Sequence, residues 1–159
     1  MPANKQWVLT MILPALLSAV HVLTLGLGLT AVVIRGQALG GPLDAAGWKR
    51  LLAADAAWGI AAALWIATGF ARVFWGGKDP DFYWSNGFFW VKLALFGLVF
   101  ALEMTPMLAF IRVRRALASG APPPAIPVDR FRRINTLETA LVVAIPFAAA
   151  FMARGVWLF

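Results

Sequence analysis

The chain has 159 residues, 62% of them hydrophobic and 13% charged, with 14 Lys and Arg against 7 Asp and Glu, a single His and no Cys. Without cysteine there are no disulfides, thiolate metal sites, iron–sulfur clusters or thioether-attached haem, and one histidine excludes an ordinary all-protein zinc site. The net charge of +7 raises nucleic acid as a partner, but the basic residues bracket long apolar runs, so that reading is set aside in favour of topogenic signals and attraction to anionic lipid.

Four apolar stretches dominate, at residues 8–34, 51–71, 88–111 and 137–157. A helix rising about 1.5 Å per residue needs about 20 apolar residues to cross a hydrocarbon core of about 30 Å, and each stretch reaches that length. Mean hydropathy is positive, and none of the stretches alternates with a charged face as a soluble amphipathic helix does.

The first stretch is too long for a signal-peptide core and is expected to remain as a helix, with Trp7 at its start and Pro14 in its first half. A Gly-rich break from Arg35 to Pro42 follows, and Asp44 to Arg50 suggests a short surface helix. The second stretch stops near Arg72. The connection from Trp75 to Gly87 mixes turn formers with aromatics. After the third stretch, Ser119 to Pro127 contains four prolines and reads as an extended linker to the fourth.

Nine Lys and Arg fall in the connections after helices 1 and 3, against four on the opposite side. The excess predicts a cytoplasmic position for those two connections. The expected fold is therefore all-α: a polytopic transmembrane four-helix bundle forming one domain over residues 1–159. Both termini are expected on the outer, periplasmic side of the bacterial cytoplasmic (inner) membrane. Trp7, Trp75, Trp84, Trp90 and Trp157 fall near that outer boundary as an aromatic belt. Trp58 and Trp65 do not.

Polar residues within hydrocarbon normally face the bundle interior, and here they line up at spacings of three and four. Helix 1 aligns Pro14, Ser18, His21, Leu25 and Gly28; helix 2 aligns Asp55, Trp58, Ala62, Trp65, Gly69 and Arg72. Helix 3 aligns Lys92, Phe96, Val99 and Glu103, and helix 4 aligns Asn135, Glu138, Val142, Ile145 and Ala149. Glu103 is expected to find His21, water or the helix 2 indoles as partners. It is either a proton carrier or a hydrogen-bond anchor between helices.

These same residues carry a resemblance. The runs Asp55 to Gly69, Asn86 to Leu93 and Leu102 to Met107 resemble a bacterial family of four-helix membrane proteins, the domain of unknown function 2214. The His21 helix, the run Trp90-Val91-Lys92-Leu93 and the run Arg133 to Thr139 are more distantly similar to the HemJ-type protoporphyrinogen oxidases, small four-helix membrane proteins that bind b-type haem. That resemblance implies His21 as a haem ligand, Lys92 as the partner of a propionate or substrate carboxylate, and Asn135 with Glu138 as a supporting polar pair. The chain departs from those oxidases in lacking further histidines.

The expected function is that of an integral inner-membrane protein whose buried polar site binds haem b or another planar redox cofactor. His21, Lys92, Glu103, Trp58, Trp65 and Met107 are the candidate cofactor residues, and His21 is the candidate metal ligand. Met104 or Met107 is a conceivable second ligand. In the alternative, the chain is a structural or accessory subunit docking to a larger membrane complex or to further copies of itself, and Asp55, Asn135 and Glu138 only specify helix packing. His21 would then bond Ser18, Thr24 or Glu103, and Trp58 and Trp65 would be packing aromatics. No nucleophile–base pair or phosphate loop is visible, so no catalytic residue is assigned.

Overall fold

The computed structural model of the protein describes residues 11–159, so Trp7 and the start of the first apolar stretch lie outside it. The described residues form helices α1 (Leu13–Gly40), α2 (Ala45–Trp75), α3 (Pro80–Trp84), α4 (Gly87–Ala118) and α5 (Val128–Ala153). All but the five-residue α3 are long and apolar enough to cross a membrane, and there is no strand among the described residues.

The spanning helices outrun the apolar stretches that announce them. At 28 residues, α1 is about 42 Å long. It continues through the Gly-rich segment to Gly40 and stops where Gly41 turns extended ahead of Pro42. Arg35 is thus a helical residue and not part of a connection. The segment expected as a separate surface helix is the first turns of α2, capped by the Asp44 carboxylate, which accepts the Gly47 N–H at 2.8 Å. Asn86 caps α4 in the same way, accepting the Phe88 N–H at 2.9 Å, and α4 then runs on through Arg112, Arg114 and Arg115. Helix α5 starts at Val128, nine residues before its apolar stretch, and ends at Ala153. Hydropathy marks the lipid-immersed length of a helix, and Arg, Leu and Ala carry the helix beyond it because their intrinsic propensity is high.

Helices α1 and α2 form one antiparallel hairpin, α4 and α5 another, and α1 lies against α5. The α1–α2 and α4–α5 connections share one end of the bundle, here the arginine-rich end. The α2–α4 connection and the chain's C-terminal segment share the other, the terminal end. Helices α2 and α4 approach closely at few points. The width between them is taken up by large side chains, with Trp65 set edge-on to Phe96. Three apolar layers stack along the axis: Leu39, Leu51 and Phe110 at the arginine-rich end, Val32, Trp58, Trp65 and Val142 in the middle, and Tyr83, Phe89 and Met152 at the terminal end.

Many large apolar side chains, Leu23 and Phe70 among them, lie on the outside of the bundle, as lipid-facing groups must. Since lipid is as apolar as leucine, helix association depends on close packing and on polar bonds. Gly28 supplies the first: a methyl there would lie 3.4 Å from both Ala61 and the Trp58 ring. At the terminal end the chain folds back, with the Gly87 N–H donating to the Trp157 carbonyl at 3.0 Å. The Trp157 indole then occupies the space that any Cβ at Gly87 would need.

Candidate functional site: two polar tiers

The inward stripes read from the sequence are the inner faces of the helices, but their polar groups collect in two separate tiers. The first centres on Arg35, whose side chain is 1% exposed. Side chains on a helix lean toward its N-terminus, so Arg35 reaches back from near the end of α1 into the bundle. Its Nε donates to Asn135 Oδ1 at 2.8 Å. One terminal nitrogen donates to both oxygens of Glu103, at 2.9 and 2.8 Å, and stands 3.4 Å from Asp55 Oδ1. The other donates to Glu138 Oε2. A planar guanidinium with five N–H groups is the side chain able to serve that many acceptors at once. One residue of α1 thereby holds α2, α4 and α5.

Around this centre the remaining valences are mostly filled. Asn135 Nδ2 donates to the Val32 carbonyl at 3.0 Å, and Trp58 Nε1 donates to Glu103 Oε2 at 3.1 Å. The Trp58 ring also lies under the Arg35 guanidinium, 5.7 Å from its carbon, at cation–π distance. Arg114 completes the tier, donating to Asp55 Oδ2 at 2.6 Å and to the Leu52 carbonyl at 2.8 Å. Glu138 is fully buried, and its second oxygen, Oε1, has no partner among the described residues.

The second tier lies toward the terminal end. His21 Nδ1 is 2.8 Å from the Thr68 hydroxyl, and the ring sits over Gly69. The Thr68 hydroxyl has one proton and lies 2.7 Å from the Leu64 carbonyl, which accepts it. In that arrangement the histidine donates Nδ1–H to Thr68, and Nε2 keeps its lone pair. Arg72 lies one turn beyond Thr68 on α2, and Lys92 lies in the second turn of α4, near the same end of the bundle.

The candidate residues therefore divide. His21 and Lys92 belong to one tier; Trp58, Glu103, Asp55, Asn135 and Glu138 belong to the other. His21 and Arg35 are 14 residues apart on α1, or about 21 Å along its axis. The expected pairing of Glu103 with His21 does not form: the cation that meets Glu103 is Arg35, and His21 meets Thr68. Met104 and Met107 flank the Glu103 turn, 12 and 15 residues beyond Lys92, and so lie about 18 Å or more along α4 from the His21 tier. Neither reaches the imidazole. Trp58 and Trp65 are packed, at 3% and 6% exposure, and do not line an open slot. Trp75, Trp84, Trp90 and Trp157 are exposed, as a headgroup belt requires.

Sequence reasoning missed Arg35, Arg114 and Thr68 as participants, and it placed Arg72 on a stripe without a role. Arg35 carries a readable signal, because it extends the series His21, Leu25, Gly28 by two more steps of four and three through Val32. Among the described residues no group of three or more His, Asp and Glu is placed to hold a bare metal ion.

Comparison with known proteins agrees with this architecture. A family model described as a predicted membrane protein (DUF2214) matches residues 13–157. No curated protein matches the chain, and no solved structure does.

Proposed function

The chain belongs to the DUF2214 family of predicted membrane proteins, and on that premise we propose that it holds a planar redox cofactor at the His21 tier, with haem b as the candidate. The carrying observation is the imidazole: Nδ1 is tied to Thr68 and Nε2 is left with a lone pair. A metal-binding histidine typically has its other ring nitrogen held by such a donor bond, which fixes both tautomer and orientation. The residues fit the group in one further respect. Lys92 and Arg72, near the same end of the bundle, offer cations for the two carboxylates that such a macrocycle carries.

When bound, haem would supply a reversible one-electron couple. The chain's own contribution is positional. Thr68 holds the ring plane, His21 presents Nε2, and the packed Trp65 and Phe96 keep water from the layer beneath. Glu103 acts as an anchor, since Arg35 and Trp58 occupy both its oxygens. By the excess of basic residues the arginine-rich end is assigned to the cytoplasm of a bacterial cell and both termini to the periplasmic side of its inner membrane. Arg35 and Arg114 are engaged inside the bundle, yet the remaining charges keep the same sense.

The test is reconstitution of the detergent-purified protein with haem. The expected result is a stoichiometric Soret band that is lost in His21→Ala and unchanged in Arg114→Gln. A protein that stays colourless in the presence of haem overturns the reading.

A second reading rests on a different observation, the grip of Arg35 on every other spanning helix. In it the polar groups serve only to specify helix pairing, and the lipid-facing surface docks a larger membrane complex or further copies of the chain. Gentle extraction should then show co-migration with partners, and a protein that always migrates alone removes it.

A further inference from the structure

The two tiers treat positive charge in opposite ways. In the first, both guanidiniums meet carboxylates. In the second, Arg72 and Lys92 are half-buried near the same end of the bundle, and neither makes an ion pair among the described residues. The acid inventory explains why. Of the seven Asp and Glu, Asp55, Glu103 and Glu138 are engaged with Arg35. Asp44 and Asp129 lie at the arginine-rich end, while Asp79 and Asp81 lie exposed in and beside α3, with Asp79 capping it.

A second observation points the same way. Arg72 Nε is buried with no acceptor among the described residues, an N–H of a charged group left without the bond that normally accompanies burial. The Tyr83 hydroxyl donates to the Arg72 carbonyl and makes no bond to Nε. A buried donor to spare, with a second unpaired cation at the same end of the bundle, suits an oxyanion. Arg72 lies three residues inside the end of α2 and Lys92 five residues inside the start of α4. Those positions are about 5 and 8 Å in from the helix ends.

We propose that Arg72 and Lys92 form a phosphate site at the terminal end of the bundle, filled by the headgroup of an anionic lipid. Guanidinium and ammonium groups bind phosphate oxygens by charge-assisted hydrogen bonds. The site needs no iron, but it draws on the two cations that the cofactor reading gives to the macrocycle's carboxylates, so a bound lipid and a bound haem would compete for them.

The experiment uses the full chain, delipidated in neutral detergent and free of haem by absorbance. Phosphatidylglycerol, phosphatidylcholine and inorganic phosphate are added separately, with native mass spectrometry and the thermal midpoint as readouts. Phosphatidylglycerol is expected to be retained and to raise the midpoint by mass action, and phosphatidylcholine is not. Arg72→Gln and Lys92→Gln should each weaken that binding about tenfold, while Lys92→Arg keeps it. His21→Ala should retain the lipid preference even as it loses any Soret band, which separates the two readings. A midpoint raised equally by inorganic phosphate identifies the same site with a soluble occupant. Equal binding of the two lipids with no response to phosphate, or a preference surviving in the Arg72→Gln/Lys92→Gln double variant, overturns the proposal.

Discussion

Arg35 and Asn135 close a loop between two helices: Arg35 Nε donates to Asn135 Oδ1, and Asn135 Nδ2 donates back to the carbonyl of Val32, one turn before Arg35. The asparagine of α5 therefore reads both the side chain and the backbone of α1. That fixes the rotation of α1 about its own axis and, with it, the direction in which the guanidinium faces its three carboxylates.

Removing Arg35 is expected to be the most damaging single change in the bundle. It would leave Glu138, fully buried, and Glu103 without their cation. Breaking one side of a buried ion pair typically costs about 3–5 kcal/mol. Arg35→Gln should lose about that much in equilibrium unfolding. Arg35→Lys should recover only part, because an ammonium lacks the planar fork that reaches Asn135, Glu103 and Glu138 together. The Arg35→Gln/Glu138→Gln double variant should lose less than the sum of the two single changes, which a thermodynamic cycle will measure.

Glu103 separates charge from hydrogen bonding. Glu103→Gln keeps an acceptor for Trp58 Nε1 and for Arg35, and should cost about 1–2 kcal/mol. Glu103→Leu strands both donors and should cost clearly more. Trp58 fluorescence reports the difference directly, since its emission should shift in Glu103→Leu and stay near wild type in Glu103→Gln. Equal losses in the two variants would show that the negative charge, and not the acceptor, holds the tier.

Two glycines are required by their neighbours. A Cβ at Gly36 would lie 2.6 Å from Asn135 Nδ2, so Gly36→Ala should push the amide out of its loop and cost about 1–3 kcal/mol. At Gly87 a Cβ meets the Trp157 indole. Gly87→Ala should release the C-terminal segment from α4 and leave the Arg35 tier intact. Proteolysis after Ala153 should accelerate while the global unfolding midpoint moves little.

Thr68→Val tests the histidine tautomer. Nitrogen NMR of the wild type should find the imidazole proton on Nδ1, held by the Thr68 hydroxyl. In Thr68→Val, which keeps the shape and loses the oxygen, that preference should disappear. If the proton sits on Nε2 in the wild type, that nitrogen has no lone pair to offer a ligand and the cofactor reading loses its main support.

The spans were legible because about 20 apolar residues in a row have few other solutions, and the inward stripes because polar groups in lipid turn toward one another. Helix ends were not legible, since Arg112, Arg114 and Arg115 are favourable in a helix whether or not lipid surrounds them. Arg35 shows why the site was only half visible. Its position continues the His21 stripe, but Gly36, Gly40 and Gly41 gave the surrounding sequence the look of a turn. Gly36 serves a different purpose, making room for a side chain from a helix about 100 residues later, and that relation has no local trace. The separation of His21 from Glu103 was hidden for a related reason. A stripe gives the face of a residue, whereas its depth relative to a neighbouring helix depends on where each helix begins.

The Arg35 grip also bears on how the chain is made. The hairpin of α1 and α2 emerges from the ribosome first, and it carries a guanidinium whose one acidic neighbour in that half, Asp55, stands at 3.4 Å. Glu103, Asn135 and Glu138 arrive only with the second hairpin. Until the second hairpin is made, Asp55 alone answers the Arg35 charge, and the other three acceptors of the guanidinium are missing.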